Sequence, residues 1–281
     1  MAALKLSMRS SVKLGPRGIS MPMYGFGTYK LKGSKCKKMV TAALKRGVRH
    51  IDTASFYDNE KYVGEAIRES GIPREDIFVV TKLWPDDHGF AKATNAFYTS
   101  LNNLGFDYID LYLIHWPGGA PADLRKESWQ ALEKLLTEGK CKAIGVSNYT
   151  IKHLKELLNY CKIPPAVNQV EFHPKLYQKE LLHFCSEKGI ALGAYSSLAK
   201  GALIGDKTIN SMAKKYSRTP AQILLRWALE HEVIIIPKCS TEERLEENMN
   251  LFDWELTAED MKVLDAMHED WHCTWDPSQI K

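Results

Sequence analysis

The sequence predicts an α/β fold, a (β/α)8 TIM barrel with an N-terminal β-hairpin closing the bottom. Three observations lead there. Short β-branched or apolar runs alternate with longer helical patterns, as parallel strands joined by crossover helices require. Several of these runs are apolar without alternation, notably Ile109, Leu111, Leu113 and Ile114, and again Ile234 to Ile236, as expected for strands covered on both faces. No Pro/Gly/Ser-rich linker interrupts the pattern, and no repeat of roughly 20 to 50 residues is present beyond the β/α alternation itself. One domain over residues 1–281 is the economical reading, long enough to bury a large core.

Taken in order, residues 11–14 and 19–21 around the turn Gly15-Pro16-Arg17-Gly18 read as the hairpin. Strands are expected at 49–52, 78–82, 109–115, 143–147, 167–171, 192–196, 234–238 and 251–252. Helices are expected at 36–45, 61–69, 91–102, 127–138, 151–160, 179–188, 208–216, 220–230, 242–248 and 258–267. The last begins with Thr257 ahead of Ala258-Glu259-Asp260: the hydroxyl can accept an orphan amide, and the acids favour the positive helix end.

The formal charge of +4 is unevenly spread, because residues 1–51 hold twelve Lys or Arg and no acid. Lys30, Lys32, Lys35, Lys37, Lys38, Lys45, Arg46 and Arg49 distribute over a turn and a helix, which predicts a solvated face rather than a nucleic-acid site. The six cysteines lie far apart, with no spacing for a zinc site or redox pair, and read as scattered reduced thiols; no metal is expected. The start MAALKLSMRSSVKLG lacks the apolar core of a secretory signal, and no run approaches membrane-spanning length. A cytoplasmic monomer is the expectation.

In a barrel of this kind the C-terminal strand ends form the active face. Here the first three predicted strands end in ionisable groups: Asp52 in HIDTASFYDNE, Lys82 in VVTKLW and His115 in LYLIHWP. Tyr57 follows Asp52 in a loop able to fold over the barrel mouth. A lysine ending a buried run is costly to desolvate unless a carboxylate pairs with it, and Asp52 is the obvious partner. Reduction of a carbonyl needs a hydride on one face and an acid for the developing alkoxide. A phenol with a pKa of about 10 matches neutral pH poorly. Lys82, held charged by Asp52, is expected to favour tyrosinate and lower the Tyr57 pKa, while His115 aligns the carbonyl by a hydrogen bond.

With these four residues the chain resembles the aldo-keto reductases, whose catalytic Asp, Tyr, Lys and His match Asp52, Tyr57, Lys82 and His115. The strings GFGTYK, GVSN, VNQVEFHP, IIIPK and ENMNLFDWELT follow in the family's order, and the chain looks most like the short members, the diketo-gluconate reductases and prostaglandin F synthases. The resemblance implies NADPH-dependent reduction of aldehydes and ketones, with Tyr57 as general acid and a small-molecule carbonyl as substrate. It places Gly27, Thr28 and Asp52 near the nicotinamide end of the cofactor. Ser147, Asn148 and Gln169 would hold the carboxamide, Tyr195 would stack on the ring, and Ser196 and Leu198 would lie in the loop over the pyrophosphate. Lys238, Ser240, Thr241 and Arg244 would hold the 2′-phosphate, and Glu247 and Asn248 would meet the adenine. Tyr29, Phe56, Trp84, His115 and Trp116 would line the substrate mouth.

Two departures qualify the transfer. Ser196-Ser197-Leu198-Ala199 replaces the family's Ser-Pro-Leu-Gly, which predicts a differently shaped pyrophosphate loop. Cys239 replaces a serine, which predicts a softer preference for NADPH. The short stretch after Trp275-Asp276-Pro277 predicts an open, permissive site whose rim Trp271 and His272 reach. Two other classes fit less well. A non-catalytic NADPH-binding regulatory subunit on the same fold has no chemical need for all four residues. A metal-dependent hydrolase would put further His and carboxylates where Lys82 stands.

Overall fold

The computed structural model describes residues 6–15, 17–118 and 121–280. Strands β1 (Ser11–Leu14) and β2 (Ile19–Pro22) pair antiparallel, with Val12 opposite Met21 and Leu14 opposite Ile19. This is the predicted hairpin; Pro16 of its turn lies outside the described residues. Eight further strands form one parallel sheet in chain order: β3 (Phe26–Gly27), β4 (His50–Asp52), β5 (Phe78–Leu83), β6 (Ile109–Ile114), β7 (Cys141–Ser147), β8 (Val167–Glu171), β9 (Ala191–Tyr195) and β10 (Ile234–Ile235). The first and last members meet and close the ring. A parallel bridge joins Tyr24 to Ile235, Gly25 N donates to Ile235 O and Ile235 N to Met23 O, both at 2.8 Å, and Gly27 N donates to Pro237 O at 3.2 Å.

The crossovers carry α1 (Gly33–Lys45), α2 (Glu60–Glu69), α3 (Phe90–Leu104), α4 (Ala122–Thr137), α5 (Ile151–Tyr160), α6 (Lys179–Glu187), α7 (Lys207–Tyr216), α8 (Pro220–Glu230) and α9 (Glu242–Met249), and α10 (Ala258–Asp265) comes last. Their starts show why the sequence breaks there. Thr150 and Thr219 form reciprocal capping boxes with His153 and Gln222, and Thr241 and Thr257 accept the Arg244 and Asp260 amides. None of these helices is long and apolar enough to cross a membrane.

Strand side chains alternate between two cores. Inside the ring, Phe78, Val80, Leu111, Leu113, Ala143, Val167 and Ile234 are buried together with Leu14 and Met21 of the hairpin, which therefore plugs the N-terminal end. On the outer face, Val79, Tyr112, Ile114, Ile144, Val170 and Leu192 pack among helix residues such as Val40, Phe97, Trp129, Leu224 and Trp227. Period two then sets the next inward positions toward the C-terminal ends: Lys82 beyond Val80, His115 beyond Leu113, Tyr195 beyond Gly193.

Two strand expectations are corrected. Residues 251–252 are not a strand: Leu251 is buried in the link between α9 and α10, and its carbonyl accepts from Arg226 Nη1 at 2.9 Å. The missing barrel member is β3, whose β character is hidden by Gly27 within it and Gly25 just before it. Gly25 is required because a Cβ there would overlap the His50 ring. The strand expected over 234–238 also shortens to Ile234–Ile235, leaving Lys238 exposed beyond Pro237.

Leu111, between Val80 and Ala143 in the inner layer, tests this packing. Leu111→Ala is expected to cost about 3 kcal/mol of unfolding free energy, read as a lower denaturant midpoint with an unchanged m-value.

Candidate active site

The centre of the barrel mouth is a buried ion pair. Lys82 Nζ donates to Asp52 Oδ1 at 2.6 Å and to the Thr53 carbonyl at 2.8 Å, with both charged side chains essentially inaccessible. Asp52 Oδ2 accepts from Gln169 Nε2 at 2.8 Å, a bond that reaches from β4 to β8 across the ring. The Asp52 carbonyl accepts from Thr28 N at 3.0 Å and Thr28 Oγ1 at 2.9 Å. Burial lowers the Lys82 pKa and the Asp52 carboxylate opposes it.

Tyr57 reaches this pair from a 3-10 turn over Ser55–Tyr57, ended by Asp58 in the left-handed region. Buried Asn59 fixes that turn to both neighbouring loops: its Oδ1 accepts from Thr53 Oγ1 at 2.6 Å, and its Nδ2 donates to the Thr28 and Leu31 carbonyls, each at 2.9 Å. Ser55 Oγ donates to the Lys82 carbonyl at 2.9 Å, and Lys32 Nζ to the Tyr57 carbonyl at 2.8 Å. The Lys82 ammonium lies 5.1 Å from the Tyr57 ring centroid. His115 meets the same ring edge-on at 5.7 Å.

The electrostatics differ in one respect from the sequence-based expectation. The Tyr57 hydroxyl is shifted upward, by burial first and then by Asp52, Tyr195 and Tyr29. The Lys82 ammonium is matched at 2.6 Å by the Asp52 carboxylate, and that carboxylate is among the groups that raise the phenol. His115 is pushed well below the usual histidine value by burial and by Lys82, and its Nδ1 is buried without a hydrogen-bond partner. At neutral pH the mouth therefore holds a protonated phenol, a neutral imidazole and a self-compensating ion pair.

Around this centre the other strand ends form a polar ring. Ser147 Oγ donates to the Gln169 carbonyl at 2.6 Å. Asn148, at φ 65°, donates from Nδ2 to the His115 carbonyl at 2.9 Å and accepts on Oδ1 from the Tyr195 hydroxyl at 2.6 Å. Ser196 also adopts positive φ and turns the chain out of β9 one residue earlier than expected, into the loop carrying Leu198.

The expected phosphate residues gather on the neighbouring side. Lys238 is exposed just beyond Gly27 and the end of β10, half-buried Ser240 comes next, and Thr241 caps α9, which carries exposed Arg244, half-buried Glu247 and buried Asn248. Among the described residues neither Lys238 nor Arg244 forms an ion pair, whereas Glu242 in the first turn is paired with Arg46 and Lys38. Above the centre, Phe56 stacks on Trp84 at 3.9 Å, Tyr29 lies 5.0 Å from Tyr57, and Trp116 lies 5.7 Å from Trp275.

The C-terminal tail is where sequence reasoning fell short. The open mouth expected from its brevity is crossed by it: Trp271 N donates to the Lys175 carbonyl, Thr274 Oγ1 lies 3.1 Å from the Tyr195 hydroxyl, and the Ile280 carbonyl is 3.0 Å from His153 Nε2. Thr274 and Trp275, distant in sequence from every motif, carried no signal. Asn59 could have been found, since an Asn beside a loop catalyst commonly ties that loop down.

Residues 23–269 match the model of the Aldo/keto reductase family. The chain belongs to this family. It is 46% identical over 275 residues to the glyoxal reductase of Bacillus subtilis, covering 98% of each chain, and 44% identical to the 9,11-endoperoxide prostaglandin H2 reductase of Trypanosoma cruzi, covering 93% of each. Among solved structures, an aldo-keto reductase from a Medee basin deep-sea metagenome library superposes with a TM-score of 0.93 at 45% identity, over 96% of this chain and 100% of that one. A Bombyx mori aldo-keto reductase in complex with NADP gives 0.88 at 33%, over 96% of each. The chain is thus an aldo-keto reductase barrel and an oxidoreductase.

The buried pair sets a stability test for this reductase. Asp52→Ala strands the Lys82 ammonium and is expected to cost about 3 to 5 kcal/mol, whereas Asp52→Ala with Lys82→Met recovers most of that loss; chemical denaturation of the two variants measures the difference.

Proposed function

We propose that this reductase uses NADPH to reduce aldehydes and ketones to alcohols, with Tyr57 as the general acid. The observation that carries the reading is the convergence of Tyr57, the Lys82–Asp52 pair and neutral His115 at the end of the barrel opposite the hairpin. A regulatory subunit that only bound the cofactor would have no chemical use for this costly set.

The residues fit a phosphorylated nicotinamide cofactor. Among the described residues Lys238 and Arg244 have no carboxylate partner; they flank the positive end of α9 with the hydroxyls of Ser240 and Thr241, a donor set suited to a 2′-phosphate. Buried Cys239, its thiol pushed up to about 11 by burial, supplies a weaker donor than the serine it replaces. Glu247 and Asn248 are set to meet the adenine. Ser147, Asn148 and Gln169 bring amide and hydroxyl groups to the opposite end, where the Tyr195 ring offers a flat face, with Gly27, Thr28, Ser196 and Leu198 alongside. The cofactor, when bound, supplies the hydride.

The chain's own residues then handle the proton and the charge. His115 orients the carbonyl oxygen toward Tyr57, and Tyr57 gives its proton to that oxygen as it becomes an alkoxide. The nascent phenolate is stabilised by Lys82, whose position Asp52 and Thr53 hold. In the resting site Asp52 offsets Lys82; as the proton leaves, the new negative charge shifts that balance in favour of the ammonium. Tyr29, Phe56, Trp84 and Trp116 line the mouth with aromatic surface for the rest of the substrate. The relatives named for glyoxal and for a prostaglandin endoperoxide support a wide substrate range on such a surface.

Tyr57→Phe is expected to abolish turnover and leave NADPH binding nearly intact; retention of most activity removes Tyr57 as the acid. Lys238→Ala and Arg244→Ala are expected to raise the Kd for NADPH much more than that for NADH, and equal effects would remove the phosphate role. Because Tyr57 is shifted upward and His115 downward, reductive kcat/KM is expected to stay flat from about pH 7 to 9 and to fall only as the phenol ionises at or above its ordinary value of about 10.

A further inference from the structure

Glu171, at the end of β8, takes no part in the chemistry described above. It is buried, and its carboxylate is fully subscribed. Oε1 accepts from Cys273 N at 2.7 Å and from His173 Nε2 at 2.8 Å; Oε2 accepts from Thr274 N at 3.0 Å and from the Thr274 hydroxyl. Because a carboxylate only accepts, His173 must carry its proton on Nε2, leaving Nδ1 as its unpartnered buried atom. Glu171, His173 and Cys273 bring ligand-type atoms within 4.8 Å of one another, but four donors already fill the acceptor sites of this carboxylate. Three of those four donors belong to the C-terminal tail. The arrangement is an anchor for that tail.

The anchored segment touches the cofactor end of the site at two places. Thr274 Oγ1 lies 3.1 Å from the Tyr195 hydroxyl, which itself donates to Asn148 Oδ1. The Cys273 carbonyl accepts from Lys200 Nζ at 2.5 Å, in the loop after β9 where Ser196, Ala199 and Lys200 all hold positive φ. A backbone with three non-glycine residues in the left-handed region persists only where contacts over-determine it. The tail provides one of those contacts.

We propose that Glu171 is a positioning residue: by pinning the Cys273 and Thr274 amides it sets the Thr274 hydroxyl against Tyr195 and the Cys273 carbonyl against Lys200, so that the tail forms part of the cofactor site. This rests on the reading of Tyr195 as the ring that stacks on nicotinamide. Burial alone would raise the Glu171 carboxyl, but the donors from His173, Thr274 and Cys273 outweigh it and hold it down to about 2, so the anchor stays charged throughout the working range. Its contribution is present above the ordinary carboxylate value and is lost only as the pH falls toward 2.

The test uses the full-length protein with NADPH, an aldehyde substrate and hydrogen exchange. Thr274→Val keeps the side-chain shape and removes the hydroxyl that donates to Glu171 Oε2 and packs against the Tyr195 hydroxyl. It is expected to raise the NADPH Kd about five- to tenfold, with the KM for aldehyde changed less; Thr274→Ser is expected to restore binding. Glu171→Gln is expected to speed amide exchange at 273–274 in the absence of cofactor and to weaken NADPH binding in parallel. Unchanged exchange at those amides, or an unchanged NADPH Kd in Thr274→Val, overturns the proposal. If the wild-type protein fails to bind NADPH, the cofactor reading fails, while the exchange experiment still decides whether Glu171 anchors the tail.

Discussion

Two charges buried against each other at the mouth of a barrel constrain everything around them. Lys82 and Asp52 are almost wholly removed from water, and neither is tolerable there alone. Their neighbours are arranged accordingly: the Thr53 carbonyl accepts a second ammonium hydrogen, and Gln169 donates to the other carboxylate oxygen from the opposite wall. The bond across the ring means that the pair is held by the barrel as a closed object. Opening the seam between β3 and β10 would disturb the site as well as the core.

Because the pair is internally neutral, its effect on Tyr57 is conditional. A lone ammonium beside a phenol would draw out its proton at rest. An ammonium already matched by a carboxylate leaves the phenol protonated and is available to the phenolate only when one forms. This suits an acid in the reductive direction, since the proton is present when the substrate arrives. It also explains why loop anchoring matters. Asn59, Ser55 and Lys32 hold Tyr57 where the small balance of opposing fields at its ring is reproducible.

Much of this was legible in the residues. Helices 151–160 and 220–230 stand as read, because threonine caps and apolar periodicity mark both ends. Asp52, Lys82 and His115 could be aligned because each ends one of the first three predicted strands in an ionisable group, and the closed barrel puts them at the same end. The first strand was not legible: Phe26–Gly27 is two residues with Gly25 just before them, and its identity as a strand comes only from closing the ring. α4 begins at Ala122, ahead of the expected 127, since its first turn is polar and lacks apolar repeat. The tail across the mouth was invisible for a different reason. Glu171 and Thr274 are separated by about a hundred residues of barrel, and only the closed fold brings their atoms together.

The resting protonation of Tyr57 joins the ion pair, the loop anchors and the proposed chemistry. An ultraviolet tyrosinate titration of the wild-type protein minus that of Tyr57→Phe reports it directly. The account predicts that the difference shows no ionisation of this phenol from neutral pH to about 10, the ordinary tyrosine value. A tyrosinate at position 57 forming near neutral pH would contradict it, since Lys82 would then be acting as an unmatched cation and not as half of a compensated pair.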